Sequence, residues 1–339
     1  MGPDDFAYHL PDPAIAQVPL ADRPSARLLD ALAEPVVHRT VGDLPSLVGP
    51  GDVLVVNDTR VLPARLRAAR PTGGAAEVLL LRAVDDEGTW EALVRPSRKL
   101  PPGSTLTVDP GLAVEVADDL GEGRRYVRLS SDGPLADALD RCGEMPVPPY
   151  LTTTLDDPER YQTVYSRRPA SAAAPTAGLH LTDGVLEACR SAGARVERLE
   201  LVVGLDTFRP ITAEDLDDHR MHCEDYEVPP ATLEACRDAR RVIAVGTTTV
   251  RALESAARYG LDGRTDLFIR PGFGFSVVDV LLTNFHLPRS SLLVLLEAFA
   301  GPRWRDLYAT ALDESYRFLS FGDAMLVGRA DAKREEISR

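Results

Sequence analysis

The hydrophobic period changes at a proline-rich stretch, and that change limits what this chain can fold into. From Asp52 to about Ser130 the apolar residues come in short runs: DVLVVND, AEVLLLRAV, TWEALVRPS, STLTVD, AVEVADDL and YVRLS. Gly, Pro and Asp separate them at short intervals, the pattern of a small all-β barrel or sandwich. MPVPPY, Met145 to Tyr150, closes the segment and fits neither a helix nor a central strand, so it reads as a linker. Beyond it, helical and strand periods alternate. Asp183 to Ala192, Pro230 to Arg240, Thr249 to Tyr259, Pro288 to Ala300 and Pro302 to Phe318 read as helices; Arg195 to Leu205 and Arg241 to Val245 read as strands. VLVVND, Val53 to Asp58, reads as a buried strand ahead of the barrel segment. The expected fold is an α/β main domain built from both chain ends, residues 1–62 and 150–339, with an all-β barrel-like domain, residues 63–149, inserted between them.

Composition narrows the function. The 339 residues carry 38 basic and 52 acidic side chains, a net charge of −14, and a field of that sign repels nucleic-acid phosphates in general. Local basic clusters remain: Arg65, Arg67 and Arg70, then Arg95, Arg98 and Lys99, either solvated surface or a phosphate grip. Cys142, Cys189, Cys223 and Cys236 form no CxxC pair, which speaks against a disulfide framework or a zinc ribbon. No apolar run approaches the roughly 20 residues of a membrane helix, since Glu297 interrupts Leu292 to Ala300, and the N-terminus is acidic rather than basic. A soluble cytoplasmic protein is expected.

Five segments combine polar chemistry with turns. VIAVGTTTVRALES, Val242 to Ser255, runs strand, turn and helix; Gly246, Thr247, Thr248 and Thr249 either cap the helix or present its first amides to an anion. It is neither a Walker loop nor a GxGxxG turn. SAAAPTAGLHLTD carries Thr176, Gly178 and His180 just ahead of a helix, and LLTNFHLPRSSLL carries Asn284 and His286 in what reads as a turn. Each His serves equally as an acid–base group or a structural hydrogen-bonder. DDHRMHCEDYEVP offers His219, His222, Cys223 and Glu224, a hydrogen-bonding cluster rather than the HExxH of a zinc site. GDVLVVNDTRVLPARL sets Asn57, Asp58 and Arg60 just past a strand's C-terminal end, where α/β sheets collect ligands, although Asp58 and Arg60 could simply pair. Alone, these segments stop at an α/β enzyme with a Thr- and His-lined site.

Together they resemble one family. GDVLVVNDTRVLPARL, RPSRKLPPG, MPVPPY, ERYQTVYS, APTAGLH, HRMHCE, VGTTTVRALES and TNFHLPRSSLL occur in the order of the S-adenosylmethionine:tRNA ribosyltransferase-isomerases of queuosine biosynthesis, within a likeness running from Asp5 to Leu326. The resemblance implies an α/β domain with an inserted barrel. It implies transfer and isomerisation of the ribosyl part of S-adenosylmethionine onto 7-aminomethyl-7-deazaguanine at the tRNA wobble position, giving epoxyqueuosine-tRNA, adenine and methionine. S-adenosylmethionine is then a consumed donor, with no further cofactor and no metal. Such chemistry needs proton transfers near neutral pH, for which the matching loops offer His180, His222, Glu224 and His286. Gly246, Thr247, Thr248 and Thr249 would hold the methionine carboxylate. Asn57, Asp58 and Arg60 would contact base or ribose, with Thr176, Gly178 and Asn284 also lining the substrate site. Arg65, Arg67, Arg95, Arg98 and Lys99 would meet tRNA phosphates. Two departures stand out. Where the family commonly has His-Val-Gly-x-Gly-Thr-Phe, this chain has Val202 in the His place and Asp206 in the second Gly place. Ala170 and Leu181 replace a Gly and a Phe flanking APTAGLH. A paralogue acting on a small-molecule acceptor is the alternative these changes raise; a non-catalytic tRNA-binding protein is another.

Overall fold

The computed structural model describes residues 1–85, 87–204 and 210–330. The chain divides into two compact units: Met1–Thr59 with Pro149–Arg167 and Pro175–Arg339, and Arg60–Pro148 with Arg168–Ala174.

The first unit is an α/β layer structure on a nine-stranded sheet. Its centre is a run of parallel strands in the order Arg195–Leu201, Asp52–Asn57, Arg241–Val245 and Val280–Asn284. Asp52–Asn57, Arg241–Val245 and Val280–Asn284 are buried at every position, which is why their sequences run apolar without alternating. On one side Ala324–Gly328 pairs antiparallel with Val280–Asn284, and Arg27–Asp30 and Val37–Thr40 follow it. On the other side Glu224–Glu227 and Asp262–Thr265 extend the sheet. Leu54, Val56, Ile243, Val245, Leu282 and Leu326 make a core with Val185, Leu186 and Cys189 of the helix Asp183–Ser191. At the strand starts, buried Asp52 binds Arg241 at 2.6 Å and Arg240 at 3.0 Å and caps the Gly49 amide.

The second unit closes six antiparallel strands into a barrel: Arg65–Ala69, Ala75–Ala83, Thr89–Arg95, Arg124–Ser131, Leu112–Gly121 and Thr105–Asp109. The last pairs with the first through Ala69 and Thr107. Pro169–Ser171 pairs with Arg60–Val61, which is why a short piece of the later chain belongs to this unit. The α/β layers and the barrel agree with the sequence expectation.

Several element ends differ from it. The helix expected over Pro288 to Ala300 begins at Ser291, where Ser290 accepts the Leu293 amide and Arg289 takes a left-handed φ of 57°. The next helix is Trp304–Asp313 and stops short of Phe318, because Ser315, at φ 57°, turns the chain. Asn284 ends a strand rather than lying in a turn.

Candidate active site

The C-terminal ends of three of the parallel strands carry Asn57, the Gly246–Thr249 turn and Asn284, the end of such a sheet where ligands collect. Asn57 closes its strand with its amide fully engaged. Nδ2 donates to the Leu201 carbonyl at 2.9 Å and to Thr248 Oγ1 at 3.3 Å; Oδ1 accepts from the amides of Leu201 and Thr59. The side chain thus splices two strands to the start of the helix Thr247–Tyr259. Gly246 turns the chain there at φ 91°, which a Cβ would strain. Thr249 bonds back to the Val245 carbonyl at 2.7 Å, a helix-fixing role, and no side chain caps the helix's first turn. Thr247 and Thr248 line a cavity with His222, Arg251, Phe268 and Leu292.

Glu224 is the anchor of that cavity. It is 3% exposed, and its Oε1 accepts from the Gly204 amide at 2.9 Å and lies 3.0 Å from His222 Nε2. Oε2 takes a close ion pair from Arg251, whose guanidinium also donates to the carbonyls of Leu267 and Thr265. Burial pushes the carboxyl pKa up, but Arg251, His222 and the Gly204 amide together hold it down to about 2. At neutral pH Glu224 is an anion set against His222 Nε2. His219 stands edge-on to Phe268 at 5.0 Å, and burial lowers its pKa. Cys223 is exposed.

His180 ends the short 3-10 helix Thr176–His180. Asn284 Nδ2 lies 2.9 Å from His180 Nε2, and Asn284 Oδ1 accepts from Thr176 Oγ1 at 3.2 Å. An amide donating to Nε2 puts the ring proton on Nδ1. Burial first, then the charges of Arg317 and Arg23, lower the His180 pKa to about 4, so the ring is neutral at pH 7. Gly178 is small for a packing reason: a Cβ there would lie 1.9 Å from the Tyr165 hydroxyl oxygen.

His286 sits apart from these groups in an aromatic core. Thr283 Oγ1 is 3.1 Å from its Nε2 and Tyr308 Oη is 3.2 Å from its Nδ1; Tyr8 donates to its carbonyl and its amide donates to Tyr308. Tyr8 and Phe285 pack edge-on to Tyr308 at 5.2 and 5.3 Å. Burial takes the His286 pKa down to about 3. Both ring nitrogens are engaged, the geometry of a clamp on packed rings. Asp58 is buried and pairs with Arg167 at 2.5 Å, while burial pushes its pKa up against the pull of that cation. Arg60 lies on a barrel-unit strand.

In the barrel unit, Arg65 and Arg67 alternate with buried Leu66 and Ala68, and Arg67 pairs with exposed Glu144 at 2.6 Å. Arg95, Arg98 and Lys99 are exposed. Val202 is half-buried, its amide donating to the Asp225 carbonyl; Asp206 lies outside the described residues. Among the described residues no cluster of three His, Cys, Asp or Glu side chains could hold a metal ion, and no helix is long and apolar enough to cross a membrane.

Reading the sequence missed Arg251, Arg23, Arg160, Arg317, Tyr8 and Tyr308. All six lie within the family-like stretch from Asp5 to Leu326, but only the fold shows what they touch.

Fold and site define a class: an α/β domain with neutral histidines and an oriented His–Glu pair at its strand ends, interrupted by a small closed barrel. Comparison with known proteins narrows the class. The family model described as queuosine biosynthesis protein matches residues 3–327. The S-adenosylmethionine:tRNA ribosyltransferase-isomerase of Rubrobacter xylanophilus is 51% identical over 96% of this chain and 98% of its own length. That of Thermus thermophilus is 48% identical over 96% and 99%. A crystal structure of the S-adenosylmethionine tRNA ribosyltransferase of Thermotoga maritima, 34% identical, aligns over 95% of this chain and 99% of its own with a TM-score of 0.53. The chain belongs to the queuosine biosynthesis protein family.

Proposed function

We propose that this protein is an S-adenosylmethionine-dependent tRNA ribosyltransferase-isomerase. In this reading it transfers and isomerises the donor's ribosyl moiety onto 7-aminomethyl-7-deazaguanine at the tRNA wobble position and releases adenine and methionine. The observation that carries the reading is near-full-length identity of 51% to a relative bearing that name, supported by the His222–Glu224 and Asn284–His180 contacts between motif residues. S-adenosylmethionine is the consumed donor, tRNA the acceptor, and no metal or added cofactor is invoked; the cytoplasm, where its tRNA substrate is found, is the expected compartment.

The site supplies what the chemistry demands. A base must take an acidic C–H proton next to the sulfonium, the aminomethyl group must be neutral when it attacks, and leaving adenine must be stabilised. His222, oriented by Glu224 and lining the cavity at Thr247 and Thr248, suits a general base. His180, neutral and with its proton on Nδ1, suits a hydrogen-bond donor to a developing negative charge. The first amides of the helix Thr247–Tyr259 suit the methionine carboxylate. Asn57, Thr176, Gly178 and Asn284 shape the site, and His286 serves as a clamp. Asp58, Arg60 and the barrel arginines remain candidates for base, ribose and phosphate contacts.

The test incubates the protein with S-adenosylmethionine and tRNA bearing 7-aminomethyl-7-deazaguanine, and follows free adenine and nucleoside mass. Adenine release with a ribosyl-derived mass gain on the nucleoside is the expected result. Turnover of S-adenosylmethionine with no gain on tRNA would replace the acceptor by a small molecule, and tRNA binding without adenine release would overturn the enzyme reading. His222→Ala should lower kcat by about 10²–10⁴-fold, the usual worth of a positioned acid–base group.

A further inference from the structure

Three arginines distant in sequence, Arg23, Arg160 and Arg317, line one small opening with His180, Ser320 and Phe321. Two of them are held by backbone carbonyls. Arg23 donates to the carbonyls of Gln162, Leu179 and Glu159 at 2.9, 3.1 and 3.0 Å, and Arg160 donates to those of Ala21 and Leu20. Carbonyls orient a guanidinium without neutralising its charge. Arg317 has one carboxylate near it, Asp323 at 3.7 Å, beyond hydrogen-bond reach. Asp323 is itself committed to the amides of Arg27 and Arg317. Asp157 and Glu159, whose charges also reach Arg23, are exposed. Among the described residues lining the opening, none is acidic.

The donor inventory is therefore unbalanced. Arg160 Nε and Arg317 Nη2 are both enclosed with no hydrogen-bond acceptor. Leaving a charged donor unmet is costly, and gathering like charges in one place adds to the cost. In a chain of net charge −14 such a concentration of positive charge is unexpected unless something anionic completes it. The opening takes a water-sized group, so it suits one or two oxygen atoms of an anion whose bulk lies outside.

We infer that Arg23, Arg160 and Arg317 form an oxyanion subsite beside His180, which binds either a backbone phosphate of the RNA or, in place of the helix amides at Thr247, the carboxylate of the methionine moiety. The inference rests on the proposed function for the identity of these two ligands. A bound anion would place a negative charge close to the neutral imidazole and fix the substrate against it, so the arginines act in binding and positioning.

The experiment uses the full chain and its Arg317→Gln variant. Binding of an anticodon stem-loop RNA is titrated at several KCl concentrations, and binding of S-adenosylmethionine by calorimetry. If a phosphate occupies the subsite, R317Q weakens RNA binding and makes the slope of log affinity against log salt shallower by about 0.7, the value for one single-strand phosphate contact. If the carboxylate occupies it, the RNA slope is unchanged and S-adenosylmethionine binding falls about tenfold or more, as for a lost charged hydrogen bond. Both quantities unchanged in R317Q would overturn the subsite. Should R317Q fail to fold, phenylglyoxal labelling of Arg317 in the unaltered protein, read by peptide mass spectrometry, gives the same decision. Slowing by RNA or by S-adenosylmethionine supports the subsite, and indifference to both refutes it. Adenine release by the wild-type protein tests the functional reading separately, since the salt slope and labelling do not depend on turnover.

Discussion

Replacing Glu224 by Gln tests the site's electrostatic anchor with almost no change in volume. The carboxylate faces three donors: the Gly204 amide and His222 at Oε1, and Arg251 at Oε2. A carboxamide has one oxygen and one NH2 group. With the oxygen toward Gly204 and His222, the NH2 confronts the guanidinium of Arg251. Reversed, it confronts the Gly204 N–H. Either orientation leaves a buried donor facing a donor, and breaking a buried ion pair in this way costs about 3–5 kcal/mol. The pKa gives an independent figure. A carboxyl lowered from its ordinary 4.5 to about 2 contributes about 3 kcal/mol at neutral pH, at 1.36 kcal/mol for each unit. Because the folded pKa is the lower one, this contribution is complete above pH 4.5 and is lost as pH falls toward 2, with about 2 kcal/mol already gone at pH 3. The glutamine variant has no such proton to gain. Urea unfolding followed by the fluorescence of Trp304, buried in the α/β unit, should show E224Q less stable by about 3 kcal/mol at pH 7. The gap should narrow to about 1 kcal/mol at pH 3. Contributions from other titrating groups cancel in the difference. A cost below about 1 kcal/mol at pH 7, or a gap that stays constant between pH 7 and pH 3, would refute the reasoning.

Three further predictions concern the frame around the site. His180 and His286 are held neutral, with pKa values lowered to about 4 and about 3, so the unfolded chain takes up their protons first. Their contribution is complete above pH 6.5 and falls as pH drops through the folded values; His286→Gln should remove about 2 kcal/mol of the stability lost between pH 7 and pH 5 in urea unfolding, and an unchanged loss would contradict the assignment. Asp52→Ala leaves buried Arg241 uncompensated at the opposite end of the strands, and should cost about 3–5 kcal/mol in the same assay while adenine release by the folded fraction stays near wild type. Gly178→Ala drives a methyl into the Tyr165 hydroxyl and should destabilise by about 1–3 kcal/mol; Tyr165→Phe, removing that oxygen, should restore part of the loss, and no rescue would show that the clash is relieved elsewhere.

The sequence carried those features that repeat along the chain and hid those that require distant parts to meet. Barrel strands such as Thr89–Arg95 and Arg124–Ser131 were legible because one face is buried and the residues alternate. Arg65–Ala69 alternates too, but its outward arginines made it look like a basic cluster. Asn284 reads as part of a turn although it ends the strand Val280–Asn284, because that strand is buried at every position and finishes in Thr283 and Asn284, polar residues that in a loop would look the same. The His222–Glu224 bond was within reach, since residues two apart on extended chain point the same way. Arg251, 27 positions from Glu224, could not be inferred as its partner without the packing of a helix against a sheet edge.

The two buried histidines show most clearly where pattern ends and structure decides. His180 and His286 both sit in polar motif segments near proline and ahead of a helix, and nothing local separates them. The fold gives each a desolvated ring and a depressed pKa. It then surrounds one with Tyr8, Phe285 and Tyr308, which leave its ring enclosed by apolar faces and hydroxyls. The other it sets against Asn284 on one side and an arginine-lined opening on the other. A lowered pKa alone therefore does not mark a catalytic histidine. What distinguishes His180 is its place beside an opening lined by Arg23, Arg160 and Arg317, the subsite inferred above, so its surroundings are set by residues more than a hundred positions away on either side.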